Sequence, residues 1–101
     1  MEGYAEMSRK KDLEKMASLV GNSAAHAALY PDDTARREIA VYYDDAYEIA
    51  SSRTWNRQEI EYFRAKARGR AEREIEKRGF DRVKFIEKAD AYIENFIQEN
   101  M

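Results

Sequence analysis

The 101-residue sequence has no cysteine, one proline and four glycines, and each scarcity closes off a class of protein. Without cysteine there are no disulfides, no thiolate metal sites and no cysteine nucleophile. No apolar run approaches the roughly 20 residues that span a bilayer, so no membrane partner is expected. The opening MEGYAEMSRKK lacks the apolar segment of a secretory leader, which leads to the cytoplasm as the expected location. There is no Gly-x-Ser-x-Gly element and no glycine-rich phosphate loop. Catalytic residues, metal ligands and cofactors are accordingly assigned to none of the residues.

What remains is rich in helix formers. Ala, Glu, Lys and Arg dominate, and 38% of the residues are charged. Seven Tyr, four Phe and one Trp supply enough apolar surface for a core, against a disordered chain of this charge. The net charge of −2 hides an uneven distribution. Residues 53–84 carry 11 Lys or Arg against 6 Asp or Glu, whereas the segments on either side are acidic.

Punctuation divides the chain into four. Pro31 ends a first helix near Tyr30, and Asp32 and Asp33 suit the first turn of a second, where the helix dipole favours negative charge. In WNRQEI, Asn56 is placed to cap a third helix with Glu59 three residues on, and Trp55 and Ile60 occupy the flanking staple positions. Gly79 closes that helix, Asp81 is placed to cap a fourth, and Phe80 and Phe85 form a second staple pair. The expected architecture is a single all-α domain, a four-helix antiparallel up-down-up-down bundle with helices over about 8–29, 33–52, 57–78 and 82–99. Residues 1–7 are expected as a flexible tail.

Apolar periodicity assigns each helix a buried face. The second should bury Ala35, Ile39, Tyr42, Tyr43, Ala46, Ile49 and Ala50 and expose Val41 with Arg37, Asp44, Asp45 and Glu48. The fourth should turn Val83, Ile86, Ala89, Ile93, Phe96 and Ile97 inward. Leu13, Met16, Ala17, Val20, Ala24 and Ala27 mark the first helix, and Ile60, Phe63, Ala67, Ala71 and Ile75 a thin stripe on the third. In ASLVGNSAAHAA, small residues at helical spacing offer a face that another helix approaches closely, with aromatic rings of the second helix as candidates to fill the space. A continuous helix through Gly21 is expected, since an isolated glycine costs only about 1 kcal/mol against alanine.

Three groups of residues invite a functional reading. His26, the sole histidine, lies off the main apolar stripe with no carboxylate three or four residues away, so it is expected at a surface or interface. It also lacks the Arg four to six residues before it that marks helical nucleases of the HEPN class. Tyr42, Tyr43 and Tyr47 are candidate interface or pocket aromatics, because tyrosine joins a large apolar body to a polar tip. The basic run RAKARGRAEREIEKRG, wound as a helix, resolves into a ridge of Lys66, Arg70, Arg73 and Lys77, with Arg64 and Arg68 on the other flank and Glu61, Glu72 and Glu76 beside them. These six cations are candidate contacts for phosphate or for an acidic partner. With a sequence pI near 5.5 and no aromatic interleaved with the ridge, carboxylates or water are favoured over nucleic acid.

The functional expectation is a small interaction domain that self-associates, most simply into a homodimer. A nucleic-acid-binding module using the basic ridge is the alternative. A third reading rests on DAYE (45–48) and EKAD (87–90), which loosely resemble the acidic pairs with which all-α nucleotide pyrophosphohydrolases hold magnesium. That resemblance would imply a magnesium-dependent nucleotide hydrolase.

Overall fold

The computed structural model describes the backbone of residues 2–30 and 36–101 and the side chains of residues 8–30 and 36–101. Four helices account for nearly all of it: α1 (Glu2–Leu29), α2 (Arg36–Ser51), α3 (Arg57–Lys77) and α4 (Arg82–Asn100). The expected roles of Pro31, Asp32, Asp33 and Ala35 lie outside the described residues. α1 begins six residues earlier than expected and takes in most of the stretch read as a tail. Between Glu2 and Met7 only Gly3 disfavours helix, and no proline interrupts the run.

The helix starts follow their local chemistry. Asn56 accepts from the backbone N–H of Glu59 at 2.8 Å, and the Glu59 carboxylate accepts from the Asn56 N–H at 3.0 Å, which closes the capping box. Asp81 caps α4 by accepting from the Val83 N–H at 3.0 Å. Gly79 takes φ of +84° just beyond the end of α3, in the left-handed region that side chains disfavour. The Phe80 and Phe85 rings then meet edge to face at 5.5 Å across the turn.

Directions alternate along the chain. Arg9 with Glu59, Glu14 with Tyr62, Asn22 with Arg70 and His26 with Arg78 advance together, so α1 and α3 run parallel. Asp12 with Arg53 and Glu38 with His26 join opposite ends of α1 and α2. Arg64 with Glu94 and Arg68 with Asp90 do the same for α3 and α4. The result is the expected up-down-up-down bundle, about 44 × 23 × 21 Å. Its spatial order differs from its chain order. α1 packs against all three other helices, α4 rests on α1 and α3, and α2 and α3 barely meet although they are consecutive.

This central position explains how α1 is buried. From Val20 to Leu29 it is covered on almost every side, Gly21, Ser23, Ala24, Ala25, His26 and Ala28 included, while Ala27 keeps partial exposure. The small-residue face admits α3 and not the rings of α2. A Cβ placed on Gly21 would stand 2.7 Å from the Ala67 carbonyl oxygen and 2.6 Å from the Arg70 Cβ. Phe63, Ala67, Ala71 and Ile75 of α3 complete that contact, all fully buried. On the other side of the core, Phe96 packs against Phe63 at 5.7 Å and against Tyr43 at 5.5 Å between ring centroids. Side chains of this size each contribute about 1.5–3 kcal/mol when fully buried. Val83, expected inward, is 74% exposed, because the first turn of α4 lies beyond the end of the core.

The junction between α2 and α3 is fastened to α1. Trp55 is buried, donates its indole N–H to the Ala50 carbonyl at 3.0 Å, and lies under the guanidinium groups of Arg9 and Arg53. Arg9 makes two hydrogen bonds to Glu59, at 2.7 and 2.9 Å, and Arg53 reaches Asp12 at 2.6 Å. Arg9 holds the Glu59 carboxyl below the usual carboxylate range. The same carboxylate thus caps α3 and anchors it to α1.

Candidate interaction surfaces

The six cations of α3 divide into two populations, because the two flanks of the helix face different neighbours. Arg64 and Arg68 lean over a cleft of about 620 Å³ between α3 and α4, floored by Ala65, Gly69 and Ile93. There Arg64 bonds Glu94 and Glu61, and Arg68 lies 3.5 Å from Asp90 and 3.3 Å from Glu72. The two carboxylates hold Arg64 firmly protonated. Partial burial raises the Asp90 carboxyl despite the opposing pull of Arg68, with Glu72, Glu94 and Glu87 adding to the rise. These two arginines are satisfied by carboxylates of their own chain.

The ridge of Lys66, Arg70, Arg73 and Lys77 faces the other way, along the groove between α3 and α1. Lys66, Arg70 and Arg73 line a hollow of about 190 Å³ with Glu14, Ala17 and Ser18. Arg70 is engaged there, donating to Asn22 at 3.2 Å and lying 3.4 Å from Glu74. Lys66 places its ammonium 5.5 Å from the centroid of the Tyr62 ring, whose hydroxyl donates to Glu14 at 2.9 Å. Lys66, Arg73 and Lys77 are exposed, and none of the three makes an ion pair among the described residues.

The tyrosines of α2 diverge and line no common pocket. Tyr43 turns into the bundle, donates to Glu99 at 2.9 Å and accepts from Asn100 at 3.0 Å. Tyr42 faces His26, with ring centroids 6.0 Å apart. Tyr47 points to solvent and is 51% exposed. It shares the outward face of α2 with Val41, 54% exposed, and with Asp44, Asp45 and Glu48. None of those three carboxylates is paired among the described residues.

His26 departs from its expected surface position: it is 4% exposed, since the helix that carries it is enclosed. Arg78 donates to Nε2 at 2.8 Å, which makes that nitrogen an acceptor and places the ring proton on Nδ1. Nδ1 lies 3.2 Å from a Glu38 carboxylate oxygen, out of line for a hydrogen bond. Burial first, and then the Arg78 cation, lower the imidazole pKa, opposed by Glu38 and Glu74. Sequence reasoning missed this node because its partners come from α2 and the end of α3. The apolar run around His26 was the local sign of its burial.

The acidic pairs occupy separate settings. Asp45 and Glu48 stand on the outward face of α2, whereas Asp90 points to Arg68 in the α3/α4 cleft. Among the described residues no group of three or more His, Asp or Glu is placed to hold a metal ion, and no helix is long and apolar enough to cross a membrane. No family model, curated protein or solved structure matches the chain.

Proposed function

We propose that this chain is a small protein-interaction domain that self-associates, with the outward face of α2 as its contact surface. The observation that carries the reading is the partial cover of that helix. Only Ala46 and Ala50 of its 16 residues are buried, and its far side sets Val41 and Tyr47 among three carboxylates unpaired among the described residues. Aromatic and aliphatic side chains framed by charge are the usual composition of an interface centre and its rim. The cytoplasm is the compartment proposed for it, on a cysteine-free sequence that uses no oxidising chemistry.

Sedimentation velocity over a wide concentration range tests this directly. Wild type is expected to gain mass with concentration, and Val41→Ser with Tyr47→Ser to weaken association by about tenfold or more. A wild-type protein that stays monomeric throughout would remove the proposal. The three unpaired cations of the α3 ridge support a second reading, nucleic-acid binding. Its test is a mobility-shift titration at low salt, in which Lys66→Glu with Arg73→Glu should abolish retardation.

A further inference from the structure

Two exposed surfaces of this bundle carry charge of opposite sign that is unpaired among the described residues, and they lie on different sides of it. The α2 face offers Asp44, Asp45 and Glu48 around Val41 and Tyr47 over about 10 Å of helix. The α3 ridge offers Lys66, Arg73 and Lys77 over about 16 Å, beside a shallow groove where Glu14 is the one carboxylate among Ser18, Arg70 and the ridge cations. Both are stripes along a helix, so one can lie beside the other. Since α2 and α3 barely meet and sit on different sides of the α1/α4 pair, one molecule cannot join its own stripe to its own ridge.

We propose that the partner of the α2 face is the α3 ridge of a second copy, so that the chain associates head to tail. This deepens the self-association reading and rests on it. The carboxylates of Asp44, Asp45 and Glu48 outnumber Arg37 on the exposed face of α2, so a two-fold dimer on either surface alone would set mostly like charges against each other, acid on acid at α2 or base on base at α3. A two-fold dimer making both contacts at once would need both surfaces on one side of the molecule. The complementary pairing leaves each copy with one free acidic and one free basic surface, and such contacts propagate into a ring or an open chain. The cations would meet carboxylates supplied by another molecule.

The test uses two variants of the full chain, each blocked on one surface. The α2 variant carries Asp44→Asn, Asp45→Asn and Glu48→Gln, and the α3 variant carries Lys66→Gln, Arg73→Gln and Lys77→Gln, neutral changes that create no new charge pair between the two blocked surfaces. All six positions are exposed, and circular dichroism of each variant checks that it retains its helix. Each alone should be monomeric where wild type associates. Mixed in equal amounts, the intact ridge of one is left to bind the intact α2 face of the other, and a complex of two copies with no larger species is expected. Wild-type association should weaken by about tenfold or more as salt rises from low to high concentration. If wild type associates while the α3 variant associates equally well, or while the mixture stays monomeric, head-to-tail pairing is overturned and self-association stands. A wild-type monomer at every concentration overturns both. Retardation of nucleic acid by that monomer would identify phosphate as the partner of the ridge. Should either variant lose helix, Tyr47→Ser alone replaces the α2 variant and Arg73→Gln alone the α3 variant, with the same mixing outcome required.

Discussion

Gly21 shows how much a single position decides in this bundle. Its missing side chain lets α1 and α3 approach until backbone and Arg70 occupy the space where a Cβ would stand. Gly21→Ala should therefore destabilise the fold by about 1–3 kcal/mol, although alanine is the better helix former. Urea unfolding followed by circular dichroism measures this, and a more stable variant would contradict the packing described. Gly69 provides a contrast, with no atom within 4 Å of its would-be Cβ, so Gly69→Ala should stabilise by a few tenths of a kcal/mol up to about 1. The sequence presents both as glycines inside a helix. Only the identity of the neighbouring helix distinguishes them.

His26 makes the same point for charge. Its folded pKa is lowered, so the unfolded chain binds the proton more readily than the native protein. The stability linked to this group is fully present above the unfolded value of about 6.5 and is lost as pH falls from there through the lower folded value. Thermal unfolding from pH 8 down to pH 5 should show that loss for wild type, and a flatter profile over the same window for His26→Gln. An identical pH dependence in the two proteins would show that the imidazole binds its proton equally well in the folded and unfolded chains, against the lowering by burial described here. Nothing near His26 in the sequence announces Glu38 or Arg78, which lie 12 and 52 positions away. Without them the local sequence points His26 to a surface or an interface.

Among the elements, helix starts were the part of the fold most legible in the sequence. A capping box, a staple and a closing glycine act within six residues, so their chemistry is complete before any tertiary contact forms. Asn56 and Glu59 carry out the roles their spacing implies, and Asp81 does likewise. The structure adds that Glu59 serves two elements. Asn56→Ala should cost about 1 kcal/mol, the usual loss for an N-cap. Glu59→Ala should cost more, since it also releases Arg9 from a pair at 2.7 Å whose carboxylate side chain is only 14% exposed. Chemical denaturation of the two variants gives that order, and equal losses would assign the residue to capping alone. Apolar periodicity served α3 and α4 well, Val83 apart, because each has one covered face. On α1 it found Leu13, Met16, Ala17, Val20 and Ala24 but missed Ala25, His26, Ala28 and Leu29, because the covered end of that helix buries more than one stripe.

At the scale of the whole molecule, the basic run shows what composition alone hides. Arg64 and Arg68 are neutralised across the α3/α4 cleft, Arg70 within the α1/α3 contact, and only part of the ridge is left to solvent. Cover is equally uneven among the helices. α1 is enclosed from Val20 to Leu29, whereas α2 rests on the bundle by one face. Amide hydrogens of α2 are expected to exchange through local opening at least about tenfold faster than those of residues 16–28 or 63–75. Equal protection throughout would mean that α2 opens only with the rest.

The enclosed position of α1 also bears on the order in which the chain acquires structure. Arg9 waits for Glu59, Asn22 for Arg70 and His26 for Arg78, partners about 50 residues further along. Early during synthesis the most apolar face of the protein exists with almost nothing to cover it, apart from what α2 provides. Contacts so distant in sequence slow a fold relative to helical proteins that pair neighbour with neighbour. The first helix made is thus the last to be shielded, and the interval before α3 emerges is when the nascent chain most needs help to stay apart from its copies.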